Sequence, residues 1–243
     1  MRATRFEFEQ RFWIIGAIFG IGFSLASFDH ILFAFAILRV FDPSLDPDSA
    51  RAAILLRLTF AAAALLIFSA AALRTWATAY LRTEIVHDAR QHSEAVIADG
   101  PFRYTRNPLY LANLPMAAGI GVLASRLGWL FIVLAIWVFV YRLILREEDG
   151  LLRSQGESYR NYLKRVPRFW PSLTPRVPSS GAQPRWGQAF AGESLVWLFG
   201  LSMLCLALTL NIRFTALIFA LSFVVYFFAV YFTKKRTASS SRA

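Results

Sequence analysis

The stretch from Gly128 to Leu145 reads GWLFIVLAIWVFVYRLIL, an apolar run of 18 residues in which Arg142 carries the only charge. An α-helix needs about 20 predominantly apolar residues to cross the ~30 Å hydrocarbon core of a bilayer. The run ends directly at REED (146–149), a cluster of charged residues typical of a membrane surface. The stretch therefore predicts a transmembrane helix with a strongly charged end.

The composition of the whole chain agrees with a membrane protein. Of its 243 residues 57% are hydrophobic and 17% are charged, and the mean hydropathy is +0.48. Soluble domains carry about a quarter charged residues. An ordinary soluble domain and an intrinsically disordered chain are both inconsistent with these values.

Five further apolar runs lie at roughly 12–38, 52–73, 109–124, 193–210 and 213–232. Numbered in chain order, the 128–145 run is the fourth of six. We therefore expect an all-α fold, a polytopic membrane bundle of about six transmembrane helices. Its predicted parts are N-terminal membrane helices (1–73), a central core (74–171), and C-terminal membrane helices with a basic tail (172–243).

The net charge of +11 indicates how the chain is oriented. Lys and Arg collect before the first run, between the second and third, between the fourth and fifth, and after the sixth. Cytoplasmic loops carry such an excess, so both termini and both long polar stretches are predicted to be cytoplasmic. The expected partner is the lipid bilayer. No nucleic acid is expected, and no obligatory protein partner is evident.

Ionisable side chains inside a predicted span are candidates for function. Asp29 lies about 25 Å along the first helix from its cytoplasmic start, at 1.5 Å per residue. We expect it to make an interhelical contact or to mark an outer helix end at the interface. Arg57 and Arg74 bracket the second span and are expected to snorkel to the membrane surface.

The cysteine content excludes internal disulfides and Cys-based metal sites, and the N-terminal apolar run argues against a signal peptide. The single Cys205 lies in an apolar run, so neither an internal disulfide nor a Cys-based metal site is possible, and no metal is predicted. The first apolar run is too long for a signal peptide and has no convincing cleavage site. We expect it to remain as a membrane anchor.

The first polar motif is GPFRYTRNPLY (100–110), a turn followed by a helix start. Pro108 suits the first helical position, and the Asn107 side chain can cap the exposed N–H groups. A helix N-terminus beside Arg103 and Arg106 is a natural anion site. The alternative is that Asn107 only caps and that the arginines only meet lipid phosphates.

The second motif begins at the charged end of the 128–145 run. It reads REEDGLLRSQGESYRNY (146–162) and continues to RVPRFWP (165–171). Helix macrodipoles favour cations at the C-terminal end, so they do not explain the paired Glu147 and Glu148. The alternative to a functional pair is a solvated surface pair supported by Arg142 and Arg146.

Together the two motifs resemble an integral-membrane methyltransferase family, which includes isoprenylcysteine carboxyl methyltransferases and phosphatidylethanolamine N-methyltransferases. The family reads approximately G-P-Y-R-Y-x-R-H/N-P-x-Y and then E-E-x-x-L-x-x-x-F-G-x-x-Y-x-x-Y-x-x-x-V-P-R-x-x-P. The resemblance covers residues 74–171. Asn107 stands at the position that is often histidine, and Gln155 replaces the usual phenylalanine.

The resemblance implies that S-adenosyl-L-methionine binds at the cytoplasmic end of the hairpin formed by the third and fourth helices. Glu147, with Glu148 behind it, resembles the acid that holds the cofactor's ammonium group. The other implied cofactor-binding residues are Val96, Ile97, Phe102, Arg106, Asn107, Pro108, Leu109, Tyr110, Gly119 and Gly121. Arg106, Asn107 and Tyr110 would position the reacting groups. For Gly119 and Gly121 the alternative is close helix packing.

The methyl acceptor is less clearly indicated. In the isoprenylcysteine branch a basic residue four positions before the first Glu meets the substrate, but here that position is Leu143. Arg142 or Arg146 could substitute, but Arg142 lies about 100° and Arg146 about 60° away around the helix, so neither presents the same face. This weakens the case for a prenylcysteine carboxylate. A phospholipid amine, a prenylated thiol derivative, a small thiol and a quinone-like lipid remain open as hydrophobic acceptors.

Two other functions remain as alternatives. Sterol reductases have a similar R-H-P-x-Y-like segment, but they use NADPH and span about ten helices. A non-catalytic membrane protein that retains the fold is the second alternative.

Overall fold

The computed structural model describes residues 1–81 and 98–240 of the chain. The helices are α1 (Arg5–Glu9), α2 (Arg11–Ser24), α3 (Phe33–Phe41), α4 (Ala50–Tyr80), α5 (Pro108–Gly121), α6 (Arg126–Arg165), α7 (Trp186–Thr209) and α8 (Ile212–Ser240), with 3₁₀ turns at Leu25–Ser27 and Gly100–Arg103. Within the described ranges no strand forms, and one isolated bridge joins Leu32 to Ser125. The predicted all-α fold is confirmed.

Four helices are long and apolar enough to cross a membrane. They are α4, α6, α7 and the Ile212–Ala229 part of α8. The protein is therefore a multi-pass integral membrane protein, as predicted. The 14-residue α5 is about 21 Å long, which is short for a full span. The count of six and the side of each terminus stay predictions.

The first predicted span, a single helix over 12–38, is wrong. The chain leaves the helix after the Leu25–Ser27 turn and starts α3 only at Phe33. The cause is the buried Asp29 carboxylate, which accepts hydrogen bonds from the Arg126 side chain at 3.0 Å and the Leu127 backbone N–H at 3.0 Å. Asp29 thereby caps the N-terminus of α6. The predicted interhelical contact of Asp29 is confirmed.

The bundle is built around α4, which packs against α5 and α7, while α6 packs against α2 and α5. The α2–α6 contact is close because it contains two glycines. A Cβ atom on Gly128 would lie 2.3 Å from the Gly22 carbonyl oxygen, and a Cβ atom on Gly22 would lie 2.2 Å from the Ile132 side chain. Only hydrogen at these positions lets the two backbones approach so closely.

Arg57 and Arg74 of α4 both have partners on α7, which the sequence did not indicate. The exposed Arg57 donates to the Leu208 carbonyl near the C-terminal end of α7, where backbone carbonyls lack helical partners. The half-buried Arg74 pairs with the buried Glu193 of α7, with 2.6 Å between Nε and Oε2. That these arginines snorkel to the membrane surface stays a prediction.

The close α2–α6 contact predicts that Gly128→Ala destabilises the protein. The added methyl group would overlap the Gly22 carbonyl, and overpacking of this kind costs roughly 1–3 kcal/mol. The matched control is Gly150→Ala on the same helix, since a Cβ atom there has no neighbour within 4 Å. Thermal unfolding in detergent should show a lower midpoint for Gly128→Ala and no decrease for Gly150→Ala. Equal thermal midpoints for the two variants would contradict the close contact between α2 and α6.

Candidate functional site

The buried Glu148 carboxylate is the centre of the candidate site. Its side chain is 7% exposed and accepts hydrogen bonds from Asn107 Nδ2 at 3.2 Å and from Arg168 Nε at 3.0 Å. Arg106 forms an ion pair with it at 3.5 Å. The structure thus brings together residues from the two sequence motifs, which are about 40 positions apart in the chain.

Asn107 performs a different task from the predicted cap. It precedes Pro108, the first residue of α5, but its side chain makes no capping hydrogen bond. The Nδ2 group donates instead to Glu148 and, at 2.9 Å, to the carbonyl oxygen of Arg168. A buried acceptor that stays unpaired is costly, so the Glu148 carboxylate and the Arg168 carbonyl both take donors from the Asn107 amide.

Glu147 faces a different set of neighbours. It lies beside the Tyr110 side chain of α5, and the positive charge of Arg11 in α2 acts on it. Among the described residues Glu147 forms no salt bridge, in contrast to Glu148. The two adjacent acids are therefore not equivalent, because Glu148 is neutralised by the protein and Glu147 keeps capacity for another cation.

A proline-rich strap, residues 166–185, closes the site from one side. Its prolines prevent a helix, so its backbone groups pair with the segment that precedes α5. The contacts are Arg106 N–H to the Pro167 carbonyl at 2.9 Å, Thr105 Oγ1 to the Phe169 carbonyl at 3.0 Å, Ser172 N–H to the Tyr104 carbonyl at 3.0 Å, and Arg103 Nε to the Val177 carbonyl at 2.9 Å. The strap therefore holds Arg106 beside Oε1 and Arg168 beside Oε2 of Glu148.

Asp99 anchors the C-terminal half of the strap. Its carboxylate accepts hydrogen bonds from the Ser179 hydroxyl at 2.5 Å, the Ser180 hydroxyl and the Ala182 N–H at 3.1 Å. Burial raises the pKa of the Asp99 carboxyl, but the hydrogen bonds from Ser179 and Ser180 outweigh burial and lower its pKa below the ordinary value. The ionised form of Asp99 thus stabilises the closed strap.

A bend in α6 explains why the second motif contains a glycine, Gly156. The residue has φ +57° and ψ −128°, so α6 bends there in a conformation that glycine adopts without strain. After the bend Tyr159 and Tyr162 are buried, and the Tyr162 hydroxyl donates to the Phe102 carbonyl at 2.7 Å. Phe102 packs beside these tyrosines. The bend therefore supports the 3₁₀ turn that leads into Arg106 and Asn107.

Arg142 and Arg146, the predicted substrate residues, are covered by the N-terminal segment. Arg142 donates to Glu7 at 2.9 Å, and Arg146 donates to the Ala3 carbonyl oxygen at 3.0 Å. Ala3 itself is buried, at 3% exposure. These contacts give both arginines a role in docking the N-terminal segment, and contact with substrate stays a prediction.

The remaining predicted cofactor residues occupy three different places. Pro108 and Leu109 begin α5 beside Asn107. Gly119 lies about 17 Å farther along α5, where a Cβ atom would come within 2.7 Å of the Ala63 carbonyl, and one on Gly121 would come within 3.0 Å of Trp129. Helix packing accounts for both glycines, so a cofactor contact there stays a prediction. Val96 and Ile97 lie outside the described residues.

Sequence reasoning missed two charged contributors to the site. Arg168 is part of the V-P-R signature but had no assigned role, and Arg11 belongs to a helix outside the two motifs. The signature could have indicated Arg168, since an arginine at a fixed position after the paired acids is a natural counter-charge. Nothing local to Arg11 indicates that it approaches Glu147.

Comparison with known proteins supports the interpretation of the motifs. Residues 58–156 match the phospholipid methyltransferase family. The protein-S-isoprenylcysteine O-methyltransferase of Schizosaccharomyces pombe is 31% identical over 92 residues, which cover 37% of this chain and 39% of that protein. No solved structure matches. The predicted resemblance to integral-membrane methyltransferases is confirmed over this segment.

Two further relatives have names that refer to metals. The cobalt-zinc-cadmium resistance protein CzcN of Cupriavidus metallidurans and the nickel-cobalt-cadmium resistance protein NccN of Alcaligenes xylosoxydans are each 28% identical over 82 residues, 34% of this chain and 38% of theirs. The chain thus spans about two-fifths of the length of the relatives it matches. In residues 1–81 and 98–240 no group of three or more His, Cys, Asp or Glu side chains could hold a metal.

The buried network predicts that Glu148→Ala strongly destabilises the protein. Removing the carboxylate leaves Arg106 and Arg168 without their counter-charge, and breaking a buried pair in this way costs roughly 3–5 kcal/mol. The control is Glu157→Ala, which removes an exposed ion pair with Arg160 that is worth at most about 1 kcal/mol. Thermal unfolding of both variants in detergent tests this, and a similar midpoint for the two would contradict it.

The Asp99 anchor predicts a pH-dependent stability difference. The folded pKa of Asp99 is lowered, so its contribution is complete above the unfolded value of about 3.9 and is lost as the pH falls through the folded value. Asp99→Asn should therefore unfold at a lower temperature than the parent protein at pH 7. The two midpoints should converge on acidification below about pH 3.9. A difference that is independent of pH would exclude the ionised carboxylate as the cause.

Proposed function

From the likeness of residues 58–156 to phospholipid methyltransferases, we propose that the protein is a membrane methyltransferase. It transfers a methyl group from S-adenosyl-L-methionine to a lipid-like or small hydrophobic acceptor. The observation that carries this proposal is the convergence of both motifs at one place, where Asn107 meets Glu148 and Tyr110 meets Glu147. The site lies at the start of α5 and in the middle of α6, and the distribution of Lys and Arg in the sequence predicts the cytoplasmic side for it.

The residues at this place fit the charged amino-acid part of the cofactor. Glu147 forms no salt bridge among the described residues, so its carboxylate can accept hydrogen bonds from an ammonium group. Arg106 Nε is buried and lies 3.5 Å from Glu148 Oε1, but it has no hydrogen-bond partner in the described part of the chain. An unsatisfied buried donor of this kind is costly, and a carboxylate ligand would satisfy it. Glu147 and Arg106 would thus bind the two ends of one zwitterion.

The proposed chemistry depends mainly on positioning. The cofactor supplies an electrophilic methyl group on a sulfonium centre. Tyr110 and Asn107, held by Glu147 and Glu148, would orient the acceptor and the methyl group for in-line approach, which is a large source of rate enhancement. The burial of Asn107 and Glu148 lowers the local dielectric constant and would favour neutralisation of charge by an anionic nucleophile.

The class of acceptor determines whether the site must remove a proton from it before methyl transfer. A thiolate or carboxylate needs no base, whereas a protonated amine must first lose a proton. Asn107, where the family often has histidine, hydrogen-bonds but does not exchange a proton at neutral pH. An amine acceptor would therefore lose its proton to water at the membrane surface. Analysis of the methylated product in lipid extracts distinguishes these acceptors.

The cofactor assignment predicts that the protein binds S-adenosylhomocysteine and that Glu147→Gln weakens this binding. Loss of one charge-assisted hydrogen bond, worth about 1.5–3 kcal/mol, corresponds to roughly 10- to 100-fold in Kd. Glu157→Gln on the exposed face of α6 is the control and should bind like the parent protein. Ligand-induced thermal shifts of the purified protein in lipid measure these affinities.

Two controls complete the experiment. NADPH should produce no thermal shift, and a shift with NADPH but none with S-adenosylhomocysteine would instead support a reductase. Incubation with methyl-labelled S-adenosyl-L-methionine and membrane lipid should yield labelled, extractable product. Undiminished binding by Glu147→Gln would refute the role of Glu147 while leaving the reaction class open.

A further inference from the structure

A buried ion pair joins α4 to α7, outside the site described above. Arg74 makes two hydrogen bonds to Glu193, from Nε to Oε2 at 2.6 Å and from Nη2 to Oε1 at 3.3 Å. Thr78 donates to the same carboxylate at 2.9 Å. Glu193 is 7% exposed, and a carboxylate buried in a membrane bundle is costly unless it is fully paired. Ionisable residues at such positions commonly serve function.

The ion pair also reaches the helix that carries the candidate site. Arg74 Nη1 donates to Asn113 Oδ1 at 3.2 Å, and Asn113 is buried in α5. Asn113 is six residues after Asn107, about 9 Å along the helix axis. Since α5 starts at Pro108, this contact fixes its first turns against α4 and α7.

A second connection links the same end of α4 to the site. The Trp76 ring lies 5.9 Å from the Tyr104 ring, and Tyr104 directly precedes Thr105 and Arg106. On the other side, Thr75 accepts a hydrogen bond from Trp197 Nε1 of α7 at 2.9 Å. The last turns of α4 are thus held by α7 and in turn contact both the segment before α5 and α5 itself.

We infer that Glu193 is a positioning residue of the proposed methyltransferase. Through Arg74 and Asn113 it sets the location of the start of α5, and with it Asn107 and Tyr110. Glu193 lies in α7, outside the segment that matches the methyltransferase family (58–156). Under this inference α7, through Glu193, contributes to the geometry of the site. This inference rests on the proposed function, and the alternative is an ion pair that only stabilises the bundle.

The test compares Glu193→Gln with Asp29→Asn. Asp29 is a second buried carboxylate, and it pairs with the half-exposed Arg126 at the N-terminal end of α6, far along the helix from Glu147 and Glu148. Both variants remove one buried carboxylate charge, so both should lower the thermal midpoint in detergent. Glu193→Gln should in addition raise the Kd for S-adenosylhomocysteine and lower kcat per folded molecule, each about tenfold, because small displacements of positioning groups are costly to the rate. Asp29→Asn should change neither.

A third variant separates the link to α5 from the ion pair itself. Asn113→Leu keeps Arg74 and Glu193 paired but removes their contact with α5, and it should reproduce the effects of Glu193→Gln on Kd and kcat. Hydrogen exchange in the peptide covering 107–116 should accelerate in both variants and stay unchanged in Asp29→Asn. This variant also keeps the inference testable if Glu193→Gln does not fold.

The outcomes distinguish this inference from the proposed function. If the parent protein neither binds S-adenosylhomocysteine nor transfers label, the proposed function fails. If the parent protein does both, and Glu193→Gln and Asn113→Leu lower only the thermal midpoint, Glu193 is purely structural and the inference is overturned. Impaired binding and slower turnover in both, with Asp29→Asn unaffected, supports it.

Discussion

The candidate site depends on a single constraint, the neutralisation of Glu148. A carboxylate that is 7% exposed beside a membrane is tolerated only if cations and hydrogen-bond donors surround it. Arg106, Asn107 and Arg168 supply them from two separate segments, so the segment before α5 and the strap must both fold onto α6. Pairing of one buried charge thus organises the ends of two helices and the loop that covers them.

The paired acids divide their tasks because neighbouring helix residues point about 100° apart. Glu148 turns toward Arg106 and Arg168 and is satisfied within the protein, whereas Glu147 turns toward Tyr110 and Arg11. Glu148 holds this part of α6 in place, and under the proposed function Glu147 would be available to a ligand. Arg106 Nε is buried 3.5 Å from Glu148 Oε1 and has no hydrogen-bond partner among the described residues. A structural role and a proposed ligand-binding role would in this way be carried by adjacent side chains.

Two elements outside the family match are connected to this arrangement by ion pairs, each at a different point. α7 contributes Glu193 to Arg74, and the N-terminal segment contributes Glu7 to Arg142. Hydrophobic contact gives little preference among helix arrangements inside a bilayer, because lipid tails are as apolar as leucine. Polar contacts and close glycine packing, as between Gly22 and Gly128, therefore determine which helices are neighbours.

By itself, the sequence determined the all-α membrane class and the two motifs, because apolar run length and local residue spacing are properties of the chain. It placed the charged cluster 146–149 at the end of a helix, whereas α6 continues to Arg165. It did not reveal the break at Asp29, which results from binding to Arg126, 97 positions away. It predicted a cap for Asn107, whose amide donates to Glu148 instead, and it did not reveal that Arg74 pairs with Glu193 or that Arg142 pairs with Glu7. Only the tertiary structure decided these partners, because a polar side chain in a water-poor bundle bonds with whichever distant residue the packing of the helices brings within reach.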